Sequence, residues 1–224
     1  MLSKYALHHR EIFVLFGLVI VTTPIFWLTD IDWQASAFFY RPYGGPDAWP
    51  FQNWWLWGWL YRFAPVLSFG TLIGSLLTVL FSYVLPTLLP FRRPALYIFM
   101  VIALGPGLVI NLVFKEHWGR PRPVHIGEFG GKYAYIPPLQ KGDTDEKSFP
   151  CGHCTVGYMF FALYFLSRKR KTLYFILSLS IALMIALARL TAGGHFISDV
   201  LWSGYLVFLV AWLLYYGWYD RKVG

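Results

Sequence analysis

Charged residues are scarce in this chain. Asp, Glu, Lys and Arg make up 13% of its 224 residues, against about 25% in an ordinary soluble domain, and the deficit excludes a water-soluble monomer. Cysteine is nearly missing. Two such residues, Cys151 and Cys154, cannot build a disulfide framework. Internal repeats and low-complexity linkers are absent too, so residues 1–224 read as a single domain. What fills the chain is apolar surface: 57% hydrophobic residues, 21% aromatic residues and a mean hydropathy of +0.51. That composition suits a protein whose outside faces lipid, with rings available for the two membrane–water interfaces. The net charge of +8 is what short cytoplasmic loops produce. No soluble basic face exists to carry nucleic acid as a partner.

The fold class that follows is an all-α membrane protein with six transmembrane helices, roughly 12–29, 65–87, 94–114, 152–167, 172–189 and 199–219. The fourth is the least apolar at its start, because its lipid-like part begins only at Cys154. The first lacks a small-residue cleavage pattern before Trp27 and Asp30, and is expected to remain as an anchor. Lys4 and Arg10, Arg92 and Arg93, the run 168–171, and Arg221 with Lys222 all fall on one side. The positive-inside rule makes that side cytoplasmic, as in a bacterial inner membrane, and turns the other three loops toward the periplasm or cell exterior. The Trp-rich segment 51–61 is expected to lie in the interface, as an anchor or as a gate for lipid substrates. Residues 132–147 form a loop long enough to cap something or merely to connect two helices.

Two outward loops concentrate ionisable groups. The first opens with Lys115-Glu-His-Trp-Gly-Arg120-Pro-Arg122-Pro and closes with Phe149-Pro-Cys151-Gly152-His153; the second runs from Arg189 through Gly193-Gly194-His195 to Asp199. Singly, Lys115 and Arg189 could snorkel from helix ends, and Arg122 could bind headgroups. Together they match what a phosphate ester requires, since phosphoryl transfer is largely positioning and charge neutralisation. Arginine offers a planar fork and lysine a point charge, while Gly152 sits where backbone N–H groups can face an anion. His195 and Asp199 are four residues apart, which on a helix places them on one face, the carboxylate holding one ring N–H and leaving the other nitrogen to attack phosphorus. His153 has no such partner and suits proton transfer to the leaving oxygen and then from water. The cleft is expected to be rich in cations rather than oxygen ligands, so neither metal nor other cofactor is expected.

These residues resemble a known family. Lys115-x6-Arg122-Pro123, Pro150-Cys151-Gly152-His153 and Arg189-x5-His195-x3-Asp199 resemble the tripartite signature of the type 2 phosphatidic acid phosphatase (PAP2) superfamily. The resemblance implies a metal-independent membrane phosphatase acting on a lipid phosphate or pyrophosphate, within the bilayer. In that reading His195 is phosphorylated, Asp199 orients it, His153 is acid and base, and Lys115, Arg122, Arg189 and Gly152 bind phosphate. Cys151 stands where the family usually has Ser, and a thiol is a weaker donor. A narrower likeness, carried by Gly105–Asn111, Phe114-Lys115, Glu128-Phe129 and Pro137-Pro138, is similar to bacterial lipid A phosphatases of the 4′ branch. Undecaprenyl pyrophosphate and phosphatidylglycerophosphate phosphatases share the core motifs, and Arg120, Lys132 and Lys141 are the candidate headgroup contacts.

Two other classes compete. Cys151-Gly-His-Cys154 resembles the redox motif of protein disulfide isomerases, which would make this a membrane disulfide oxidoreductase; it lacks the surrounding βαβ pattern. An anion or lipid transporter could use the same cations, without needing His195 beside Asp199. As a pair, Cys151 and Cys154 would lie within disulfide reach across one helical turn, and oxidation would then perturb the Gly152 backbone.

Overall fold

The computed structural model describes residues 2–42 and 48–222, with side chains described from Arg10 onward and up to Arg221. The side chains of Lys4 and Lys222, counted above for orientation, lie outside that description. Eight α-helices are present among the described residues: α1 (Leu2–Leu28), α2 (Ile31–Ala37), α3 (Trp55–Phe81), α4 (Leu89–Ile102), α5 (Thr155–Tyr158), α6 (Phe161–Leu166), α7 (Lys171–Leu190) and α8 (Ile197–Leu214). No strand occurs among these residues beyond one isolated bridge between Ile126 and Tyr133. α4 continues as a wide π-helical segment, Ala103–Lys115, and α8 as a π-helical turn, Tyr215–Tyr219.

Among the described residues five helical stretches are long and apolar enough to cross a bilayer: Arg10–Leu28, Trp55–Phe81, Pro86–Lys115, Lys171–Leu190 and Ile197–Tyr219. Their exposed faces are apolar, as at Phe13, Ile20, Phe69, Leu80, Leu112 and Leu183, which is the pattern expected where lipid is the solvent. The fourth expected span departs from a single helix. Residues 155–166 form two short pieces, roughly 18 Å of rise at 1.5 Å per residue, against a hydrocarbon core of about 30 Å. Burial explains how so short an element survives. Val156, Met159, Phe161, Ala162 and Phe165 are enclosed by Val101, Ile102, Ile185, Ala186 and Val207 of the surrounding helices. Close approach is also needed: a Cβ at Gly157 would stand 2.2 Å from the Ala182 backbone nitrogen on α7.

The basic end of the bundle is tied by rings and one acid. Arg93 donates to the Tyr219 carbonyl and lies 4.8 Å from that ring, while Glu11 accepts from Tyr164 (2.6 Å), Tyr216 (2.9 Å) and Lys171 (3.2 Å). These contacts fasten α1 to α6, α7 and α8. At the opposite end the long loop after Lys115 packs as a cap. Ile126, Phe129 and Phe196 form a small second core with Trp49, and the Val124 N–H donates to the Gly193 carbonyl at 3.0 Å, joining the two functional loops.

Candidate active site

The segment Ala103–Lys115 delivers the first cation. Pro106 lacks the N–H that an α-helix would use, and Asn111 Nδ2 donates back to the Pro106 carbonyl at 2.7 Å, a five-residue step that a π-helix accommodates. Lys115 closes the segment beside Gly152: a Cβ there would meet Asn111 Oδ1 at 3.0 Å and Lys115 Nζ at 3.1 Å. A cleft of about 210 Å³ holds Asn111, Lys115, Gly152 and His153 at its polar end and runs on to Phe69, Leu72 and Ile102. Arg122 sits in extended backbone between two prolines. Arg189 ends α7 with its guanidinium against Gly194, where a Cβ would come within 2.3 Å, and over the Tyr61 ring at 5.0 Å. The Nε atoms of Arg122 and Arg189 are buried without a hydrogen-bond acceptor in the structure, so two charged donors stand ready for an anion.

His195 is 1% exposed, and its protonation pattern follows from one contact. Nδ1 lies 2.7 Å from the Ser148 carbonyl, which can only accept, so the ring proton is on Nδ1 and Nε2 keeps its lone pair. Asp199 Oδ2 is farther from Nδ1, at 3.5 Å. The expected pair does come together, but not along one helix face: His195 precedes α8, and Asp199 lies in its first turn, where Oδ2 also accepts the Phe196 N–H at 2.8 Å and the Ser148 hydroxyl at 2.7 Å. The carbonyl orients the ring, while Asp199 supplies negative charge beside it.

Burial lowers the pKa of His195 to about 4; Asp199 opposes the shift, and Arg189 and Lys115 add to it. His153, stacked on Tyr61 with ring centroids 4.5 Å apart, is lowered to about 3, by burial first and then by Arg189, His195, Lys115 and Arg122. Both rings are therefore neutral at pH 7 before substrate arrives, and a phosphate dianion would offset the cations that suppress protonation of His153. A consequence for pH is direct. A nucleophile must be unprotonated, so kcat/KM is expected to hold down to about pH 5 and to fall as pH drops through about 4, where His195 takes up a proton. An acid limb centred near 6.5 would contradict the buried, cation-flanked ring.

Arg120 is not a headgroup contact. Its side chain is fully buried, with Nη2 2.9 Å from Asp32 Oδ2, Nη1 on Asp199 Oδ1, and Nε donating to the Ile136 carbonyl at 2.7 Å. Burial works against its charge, but Asp199 and Asp32 outweigh that and raise its pKa. Lys132 and Lys141 are exposed on the long loop after Lys115; Lys132 lies 4.9 Å from the Tyr133 ring in a second pocket with His125 and Glu146. Cys151 and Cys154 are joined as a disulfide with Cα atoms 5.5 Å apart, both wholly buried. The bridge leaves Cys151 no thiol proton to donate.

Residues 94–222 match the PAP2 superfamily. This chain belongs to that superfamily. It is an integral membrane protein, with Lys115, Arg122, Gly152, His153, Arg189, His195 and Asp199 all inside the matched region. A lipid A 4′-phosphatase of Francisella tularensis subsp. novicida (strain U112) is 36% identical over 172 residues, 73% of this chain and 75% of that protein. One of Rhizobium leguminosarum is 33% identical over 117 residues, half of each chain. A lipid A 1-phosphatase of Rhizobium etli (strain ATCC 51251 / DSM 11541 / JCM 21823 / NBRC 15573 / CFN 42) is 32% identical over 124 residues, 55% of this chain and 46% of that one. No solved structure matches.

Several residues of this PAP2 site escape a motif reading. Ser148 carries no chemistry of its own in the sequence, because its role lies in a backbone carbonyl. Tyr61 sits inside a Trp-rich run that reads as an interface anchor, yet it covers His153 and Arg189. Asn111 and Asp32 did leave a signal, a polar side chain within or beside an apolar span, which is costly unless it is bonded.

Proposed function

We propose that the chain is an integral-membrane lipid phosphatase that hydrolyses a phosphate ester through a phosphohistidine. Once the phosphate dianion is bound, His153 takes up a proton from solvent; His195 Nε2 attacks phosphorus, the bond from phosphorus to the lipid oxygen breaks, and protonated His153 delivers its proton to that oxygen. Water then attacks phosphorus, the phosphorus–nitrogen bond breaks, and the water proton passes to the now neutral His153, so the products are a lipid alcohol and inorganic phosphate. Lys115, Arg122 and Arg189 neutralise the three equatorial oxygens, with the Gly152 backbone alongside. The observation that carries this reading is the His195 ring held by the Ser148 carbonyl with Nε2 unprotonated, among cations whose fields reach both histidines. Disulfide exchange fits less well, since both sulfurs are wholly buried and exchange needs an accessible sulfur.

The substrate proposed is lipid A, with the 4′-phosphate removed. Support comes from the relatives named above, of which the 4′-phosphatase of Francisella covers most of both chains. Purified protein in detergent, with excess chelator, is expected to release phosphate fastest from lipid A, the product lacking its 4′-phosphate by mass spectrometry. No phosphate release from lipid A, undecaprenyl pyrophosphate or phosphatidylglycerophosphate would overturn the assignment.

The side proposed for the site is the periplasmic face of an inner membrane; Arg92, Arg93, Arg168 and Lys171 at the other end of the bundle support this through the positive-inside rule. Lys132→Cys and Thr172→Cys, each made in a Cys151→Ser, Cys154→Ser background, test this; both positions are exposed. Position 132 should react with an impermeant maleimide on intact spheroplasts, and position 172 only after lysis. The reverse pattern would put the chemistry in the cytoplasm.

A further inference from the structure

We propose that Asp32, carried on α2 outside the PAP2-matched region, is a positioning residue for the reaction, acting on Asp199 and the first turn of α8 through Arg120. Asp32, Arg120 and Asp199 are each wholly buried. The fork of Arg120 spans the two carboxylates, one from each side, and stacks over Phe196 with its guanidinium carbon 4.6 Å from the ring. Asp32 is also bonded directly to α8: Oδ1 accepts the Ser198 N–H at 2.9 Å, and Oδ2 accepts the hydroxyls of Ser198 and, at 3.1 Å, Tyr135. The short helix after the first span thus fixes the turn in which Asp199 faces His195.

Charge counting gives the cluster a second role. One guanidinium would be balanced by Asp199 alone, yet two carboxylates are present, so the buried cluster carries a net negative charge within reach of His195. When Nε2 bonds to phosphorus the imidazole ring becomes cationic, and an excess negative charge already in place stabilises that state without reorganisation. The other groups bearing on His195 oppose it: Arg189 from α7, Lys115 from the π-helical end, and His153 in the loop before α5, itself held neutral by Arg122 among others. With Asp32 neutralised, the cluster becomes uncharged and these cations prevail.

This inference rests on His195 being the phosphorylated residue, and the experiment separates the two. Steady-state kinetics on purified wild type, D32N, D32E, R120K and His195→Ala would be measured from about pH 2.5 to 9, so that the acid limb near 4 and a shift below it are both covered, with folding checked by gel filtration and thermal melting. D32N is expected to lose about 10- to 100-fold in kcat with KM within about twofold, since it touches no substrate. Its acid limb should move to lower pH, because a ring deprived of negative field binds a proton less well. D32E should recover at least about tenfold over D32N by restoring the charge. R120K keeps the cation but loses the fork and should also lose kcat with KM retained; it decides the matter should D32N not fold. Folded D32N or R120K with wild-type kcat would overturn the proposal. So would a loss in D32N with an unmoved acid limb, which marks Asp32 as structural only. If His195→Ala still turns over, the nucleophile assignment fails instead; if it is dead while D32N matches wild type, only the role of Asp32 fails.

Discussion

His195→Ala is expected to reduce kcat by about 10⁴-fold or more while leaving KM within a few-fold of wild type. The split follows from the geometry. Phosphate affinity comes from Lys115, Arg122 and Arg189, whose positions depend on helix ends and on Gly152 and Gly194 rather than on the imidazole. The nucleophile is another matter, because nothing else beside the cations combines an unprotonated ring nitrogen with a fixed tautomer. His153→Ala should cost less, about 10²–10⁴-fold, the usual range for one acid–base group, and should slow dephosphorylation of the intermediate. Equal losses in kcat and affinity for His195→Ala would point to a binding role instead.

Arg120→Leu is expected to be the most damaging substitution for stability. It removes one buried cation and leaves two buried carboxylates, Asp32 and Asp199, without it. Breaking a buried pair by deleting one partner costs about 3–5 kcal/mol, which for a domain of this size lowers Tm by roughly 6–20 °C. Lys132→Ala and Lys141→Ala, exposed on the same loop, should stay within about 0.5 kcal/mol of wild type. Thermal melting of the three variants in detergent checks the contrast; an Arg120→Leu melt within 2 °C or so of wild type would mean that the cluster relaxes or is hydrated.

Arg120 also shows where sequence reasoning stops. As one more arginine two residues before Arg122, it reads as a headgroup ligand, because nothing local reveals a partner 88 residues away on α2. The long spans were legible since lipid exposure imposes uniform apolarity on a helix, and each of the five stretches that can cross carries it. The fourth was legible as an apolar helix beginning near Cys154, but not its break into two short pieces, because an element buried by its neighbours is released from the length that a bilayer demands. The site divides along the same line. The residues whose side chains are proposed to do chemistry, Lys115, Arg122, His153, Arg189 and His195, are marked by type and spacing. Those that act through a carbonyl or a stacked ring, namely Ser148 and Tyr61, are set by tertiary contact and carry no pattern, while Asp32 shows only as a carboxylate beside an apolar span, with nothing to reveal its partner. The spacing of His195 and Asp199 illustrates both: it identified the pair correctly, but a helix start between them makes Ser148 the nearer acceptor.

The most direct test of the phosphohistidine account is to trap and map the intermediate. His153→Ala protein would be mixed with lipid A carrying a ³²P-labelled 4′-phosphate, quenched in base, digested and sequenced by mass spectrometry. The account predicts a base-stable, acid-labile label on the peptide containing His195, absent from a His195→Ala, His153→Ala double variant. Label on any other residue, or phosphate released with no labelled protein at any quench time, would contradict it.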